Sequence, residues 1–186
     1  MGQIISYAFL NDYYSIIDYI EKYPNKLGVY KININVKNNK LETLLHHFCY
    51  TNNLEITRKL INLGHEINIL NSHGHTPLYD ACLNKKYNFE LIKLLIEKGA
   101  DIELSKKNPL FLLINNKKLF LYIYNNGINK NPINDTSNSL LHILCINNKI
   151  HLLKLVCQHE VNINILNKSD QLPIDLAIEN NSHSQI

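Results

Sequence analysis

Apolar residues come in short blocks at helical spacing, two blocks to a unit, and the units repeat. In the clearest unit Leu78, Ala81 and Cys82 mark one block. After a polar break, Phe89, Ile92, Leu95 and Ile96 mark a stronger one. The anchor of this unit is Thr76-Pro77-Leu78-Tyr79. Weaker copies are Thr43-Leu44-Leu45-His46, Asn108-Pro109-Leu110-Phe111, Ser139-Leu140-Leu141-His142 and Leu172-Pro173-Ile174-Asp175, with first residues 33, 32, 31 and 33 apart. Gly64, Gly99 and Gly127 close their units, with Glu160 in the equivalent place, and Ile67-Asn68, Ile102-Glu103 and Ile163-Asn164 follow just beyond. Three markers in phase make the repeat the primary feature of the chain.

Each unit predicts two short helices. Thr or Ser at the anchor suits an N-cap, and Pro one residue later fits the first turn, where its missing N–H costs nothing. Gly after the second block suits the left-handed residue of a helix end. The Asn- and Gly-rich connections suit a β-turn or hairpin. Residues 3–10 and 13–23 read as a further helix pair, followed by an insertion at Asn25 to Lys31. Pro173 to Asn180 reads as a single last helix, with Glu179, Asn180 and Asn181 as a modest polar cap. The expected organisation is one domain over 1–186. It has an N-terminal capping repeat (1–35), repeats at 36–70, 71–102, 103–133 and 134–166, and a C-terminal half repeat (167–186). The unit from Glu103 to Pro132 reads as the weakest, because Asn108 replaces the capping Thr and its helix pair is shortest. It keeps Phe111, Leu112, Phe120 and Ile123 for burial.

The run from Gly74-His75-Thr76-Pro77-Leu78-Tyr79-Asp80-Ala81-Cys82 to Leu91-Ile92-Lys93-Leu94-Leu95-Ile96-Glu97-Lys98-Gly99-Ala100-Asp101-Ile102 resembles an ankyrin repeat. The resemblance covers residues 36–180 and, weakly, the N-terminus. It implies an all-α solenoid of stacked helix-turn-helix units with β-turn or hairpin connections, and a non-catalytic protein-binding role. It also implies that His46 and His142 brace the neighbouring backbone. Turn tips and first-helix faces would form the binding surface. On that mapping the contact residues are Lys40, Glu42, Tyr50 and Thr51 in one repeat and His73, His75, Leu83 and Asn84 in the next. Lys107 and Asn115, then Thr136, Asn138, Ile146 and Asn147, follow. Tyr50, Leu83 and Ile146 are the expected anchors, since exposed apolar side chains there have no stability reason.

The composition is 45% apolar and 19% charged, neither that of a disordered chain nor that of a membrane bundle. No apolar run approaches the roughly 18–20 residues of a spanning helix. The net charge of +3 excludes little. Arg58 is the single arginine, so bidentate phosphate clamps are nearly unavailable. Abundant Asn, Ile, Lys and Tyr suggest an AT-rich genome. Degenerate ankyrin units of this style resemble those of large DNA viruses, poxviruses especially; AT-rich protists and intracellular bacteria remain open. No F-box-like segment follows residue 180, which favours a short inhibitor resembling IκB over a ubiquitin-ligase adaptor. The expected partner is a host protein in the cytoplasm or nucleus.

Candidate chemistry is sparse. Cys49, Cys82 and Cys145 fall six residues after an anchor, where Ile114 and Ile178 stand in other units. These positions, and Cys157, read as packed apolar thiols in a reducing compartment. No Cys-x-x-Cys pair supports a metal, and neither a metal nor a cofactor is expected. His65, His73 and His75 share one connection and could approach one another; solvated turn histidines compete with a metal or pH-sensing role. No phosphate-cradling loop, His-Glu-x-x-His or Gly-x-Ser-x-Gly is present, and no enzyme is expected. Glu21, Glu55, Glu90 and Glu97 read as solvent-facing. Lys85-Lys86, Lys117-Lys118 and Lys149 would form a stripe that could neutralise phosphates. The interspersed Glu, Asp and Asn favour a solvated edge or an acidic protein partner over nucleic acid. Met1-Gly2-Gln3-Ile4-Ile5-Ser6 fits N-myristoylation at Gly2, so a lipid-anchored membrane scaffold is the alternative reading. One acyl chain would bind membranes only marginally.

Overall fold

The structure, a computed structural model, describes residues 13–26 and 36–183. Gly2, the expected helix at 3–10 and part of the insertion after Asn25 lie outside the described residues. The chain divides into two compact units, Met1–Lys106 and Lys107–Ile186. Nine α-helices are present among the described residues, joined by turns and two isolated β-bridges, Lys37 with Thr43 and Ile133 with Ser139. No described helix is long and apolar enough to cross a membrane.

The first unit holds α1 (Tyr13–Lys22), α2 (Leu44–Tyr50), α3 (Leu54–Asn62), α4 (Pro77–Leu83) and α5 (Phe89–Glu97). Side-chain caps start four of them. Thr43 and Thr76 accept from the backbone of His46 and Tyr79, and Asn53 and Asn88 accept from Ile56 and Leu91. Each cap satisfies an N–H that the helix cannot, worth about 1 kcal/mol. Helices α2 and α4 lie side by side, as do α3 and α5. Between them Leu44, Leu45, Phe48, Leu78, Ala81, Leu91, Ile92 and Leu95 are wholly buried. Each large side chain so buried contributes about 1.5–3 kcal/mol. Glu21, Glu55, Glu90 and Glu97 are exposed as expected. Gly64 and Gly99 adopt φ of +85° and +88° with open space around the missing Cβ, so left-handed backbone is what favours glycine there.

The second unit holds α6 (Lys117–Asn125), α7 (Leu140–Ile146), α8 (Ile150–Val156) and α9 (Pro173–His183). Here four expectations fail, one of them the burial of Phe111 and Leu112, which are half-buried while Leu110 and Leu113 take the buried positions. The Asn108 repeat has no first α-helix; Pro109–Leu112 form one 3-10 turn. Asn108 still caps it, accepting from Leu110, but Asn116 must already cap α6. The two caps are closer in sequence than Thr43 and Asn53 or Thr76 and Asn88, which leaves no room for the two-turn helix of the other repeats, and i→i+3 bonding is the tighter alternative. Cys157 is exposed rather than packed, because α8 ends at Val156 and leaves it as the C-cap. Ile178 is 62% exposed where Cys49 and Cys82 are buried, since no second helix follows α9 among the described residues.

Candidate protein-binding face

The connections before the first helices share a local design. Asn38, Asn71, Asn134 and Asn167 each accept, through Oδ1, from the backbone N–H groups two and four residues on. The residue three positions on has positive φ: Leu41, Gly74, Ser137 and Asp170. An Asx turn of this kind lets a short tip close without a sheet. In the first unit one tip locks to the next, Ser72 N–H donating to Lys40 C=O and Lys106 N–H to Gly74 C=O, both at 2.8 Å. This asparagine register was missed in the sequence, although its spacing of 33 from Asn38 to Asn71 and from Asn134 to Asn167 was available there.

The anchor histidines carry the tips. Thr43 N–H donates to His46 Nδ1 at 3.2 Å, which places the ring hydrogen on Nε2, and Nε2 bonds His75 C=O at 3.1 Å. Burial lowers the His46 pKa to about 4, so the ring stays neutral and this tautomer is kept. His142 repeats the arrangement with Ser139 N–H at 3.1 Å and Gln171 C=O at 2.9 Å. The bracing role expected of both rings is what the geometry provides.

In the first unit these elements enclose a pocket of about 460 Å³. Lys40, Glu42, Tyr50, His73, His75 and Leu83 line it, all of them expected contact residues, together with His46, His47, Asn71 and Asp80. Tyr50 is 51% exposed and Leu83 41%. His75 lies tilted against Tyr79 with ring centroids 4.2 Å apart, and stacks on His73 at 5.7 Å. Its Nδ1 lies 3.5 Å from the Asp80 carboxylate. Burial, helped by the charge of Glu42, raises the Asp80 pKa to about 7. Asp80 was absent from the expected site. Its signal was a carboxylate four residues after Thr76, where Leu112 and Ile143 stand in other repeats.

Other expected contact residues serve the fold. Asn84 donates to Tyr50 C=O at 2.6 Å, and Thr51 to His47 C=O at 3.0 Å. Tyr50, Thr51 and Asn84 also border a shallower hollow with Lys86 and Tyr87. In the second unit Asn138 accepts from Asn167 Nδ2, Asn147 donates back to Ile143 C=O, and Thr136 bonds Asn134 within its own tip. Lys107 pairs with Asp135 at 3.6 Å. Asn115 borders a hollow of about 390 Å³ with Lys117, Lys149 and His151. Ile146 is 40% exposed. No described group of three or more His, Cys, Asp or Glu side chains has the geometry to hold a metal.

A family model described as ankyrin repeats (3 copies) matches residues 5–106. The chain belongs to the ankyrin-repeat family. Its repeats are those of a protein–protein interaction module. Among curated ankyrin-repeat relatives, the fowlpox virus protein FPV024 is 27% identical over 131 residues, covering 70% of this chain and 17% of that protein. The protein L371 of Acanthamoeba polyphaga mimivirus is 26% identical over 153 residues, covering 76% and 20%. The ankyrin-repeat chain thus spans a fifth or less of the length of these two relatives. It is also similar to a chain in the structure of the predatory endopeptidase Bd0816 from Bdellovibrio bacteriovorus in complex with immunity protein Bd3460. The TM-score is 0.75 at 21% identity, over 88% of both chains, a likeness of fold.

Proposed function

We propose that this chain is a non-catalytic viral binder of a host protein, acting in the host cytoplasm or nucleus and engaging its partner through the face that carries Tyr50 and Leu83. The observation that supports this reading is the pair of exposed apolar side chains at the C-terminal ends of α2 and α4, bordering a pocket otherwise lined by polar groups. Neither side chain is among the buried core residues, and both have the size of interface anchors. Relatives in fowlpox virus and mimivirus favour the viral origin.

The experiment is affinity capture from host cells with the full chain, compared with Tyr50→Glu/Leu83→Glu and, separately, with Ile146→Lys. Loss of the same prey from the double variant, with its circular dichroism intact, supports the reading. Prey retained by both variants removes these faces from consideration.

A further inference from the structure

Asp80 is the carboxylate at the wall of the first-unit pocket. It stands in the first turn of α4, and its side chain is 9% exposed. Its polar contact is His75 Nδ1 at 3.5 Å, an ion pair when that ring is protonated. A carboxylate so deeply placed, with one histidine at 3.5 Å beside it, carries a desolvation cost that Ile143, in the same register of α7, does not. An ionisable side chain buried at the wall of a pocket is a candidate for ligand contact.

The surroundings specify that ligand. Glu42 lines the same pocket, one oxygen held by Asn38 Nδ2 at 2.6 Å. Tyr50 offers an exposed aromatic ring at the pocket, and Leu83 an apolar surface. Two carboxylates beside an aromatic ring and an aliphatic wall complement a cation on a hydrocarbon stem. The pocket volume lies within the range of about 300–1,000 Å³ typical of ligand sites. Lys40, the chain's own nearby cation, is exposed and forms no ion pair with either carboxylate among the described residues.

We infer that the pocket receives a lysine or arginine side chain presented by the protein partner, with Asp80 and Glu42 as counter-charges and Tyr50 as the aromatic wall. This rests on the protein-binding reading above and specifies the chemistry of its partner.

The test is an NMR titration of the full chain at pH 8 with Nα-acetyl-lysine methylamide and Nα-acetyl-arginine methylamide. The norleucine derivative serves as the uncharged control. The expected result is saturable shifts at Tyr50 and Asp80 with either cation. Binding of the norleucine derivative should be weaker by about ten-fold or more, the scale of one charge-assisted contact. Asp80→Asn, which preserves size and shape, should weaken the lysine derivative by a similar factor, and Glu42→Gln should weaken it less; the amide spectrum reports that each variant is folded. Absence of saturable shifts, equal binding of norleucine, or undiminished binding by folded Asp80→Asn would overturn the inference. The protein-binding reading has its own readout in the capture experiment with the Tyr50 and Leu83 variant, so failure of one is distinguishable from failure of the other.

Discussion

Asn84 and Tyr50, 34 residues apart, are joined by a 2.6 Å hydrogen bond from the amide Nδ2 of one to the main-chain carbonyl of the other. Tyr50 ends α2, and Asn84 caps the C-terminus of α4, so the bond fastens the ends of two neighbouring first helices. Asn180, in the same register as Asn84, makes the equivalent 2.6 Å bond to Ile146 C=O in the second unit. Both expected anchors, Tyr50 and Ile146, are therefore held from behind by an amide that satisfies a helix-end carbonyl.

Replacing Asn84 by Ala should lower stability by about 1 kcal/mol, the net worth of one such bond. Asn180→Ala should act similarly in its own unit. Urea denaturation of each variant measures this. Unchanged midpoints would mean that water replaces the amide at no cost.

Two buried groups of the first unit should pull the pH dependence of stability in opposite directions. The His46 pKa is lowered to about 4 by burial, so the unfolded chain binds the proton more readily between pH 6.5 and 4. Its contribution is present above about pH 6.5 and lost as pH falls towards 4. The Asp80 pKa is raised to about 7 by burial and by Glu42, so the native state holds the proton more tightly between pH 3.8 and 7. Its contribution is present below pH 3.8 and lost as pH rises through 7. Asp80→Asn should therefore unfold at higher urea than the parent at pH 8, and His46→Gln should flatten the acid limb. Urea midpoints measured from pH 4 to 8 check both. Parallel curves for parent and Asp80→Asn would contradict the assignment.

Gly74→Ala should cost more than Gly99→Ala. Both glycines have positive φ, +73° and +88°, which an alanine tolerates at about 1 kcal/mol. Leu41, Ser137 and Asp170 hold the same tip position as Gly74 with a side chain present, so φ alone does not demand glycine there. A Cβ at Gly74 would lie 2.9 Å from Lys106 Cβ, whereas one at Gly99 meets nothing within 4 Å. The Gly74 variant must also push back the segment that bonds its carbonyl through Lys106 N–H and Ser105 Oγ. Thermal unfolding of the two variants measures the order; equal losses would show that the Lys106 segment yields freely.

Residues 108–116 should exchange their amide hydrogens faster than residues 76–84. The first stretch holds a four-residue 3-10 turn with few backbone bonds, and the second holds a capped α-helix with Pro77 in its first turn. In a repeat array each unit's stability is its own plus that of its neighbour contacts, so a shortened unit opens at lower cost. Segment-resolved hydrogen exchange by mass spectrometry reads this directly. Equal protection would make the shortened repeat a rigid variation.

The repeat, the helix pairs, their caps and the glycine ends were legible in the sequence because each depends on contacts within a turn or two of chain. Thr43, Thr76 and Ser139 cap where their hydroxyls and the following apolar spacing say they should, and Gly64, Gly99 and Gly127 end helices for a local backbone reason. The exposure of Tyr50, Leu83 and Ile146 followed from the same register. Apart from the His46 and His142 braces, which the family resemblance implied, tertiary structure decided what joins residues about one repeat apart. It turned Asn84 and Asn138 from surface candidates into braces, and it left Cys157 in solvent as the C-cap of α8 and Ile178 in solvent where no second helix follows α9 among the described residues. It also buried Asp80 at the wall of the pocket that Glu42 and Tyr50 line. Helical periodicity assigns a residue to a face. Only the neighbouring repeat determines what that face meets, and with it which polar groups are satisfied and which are left to bind.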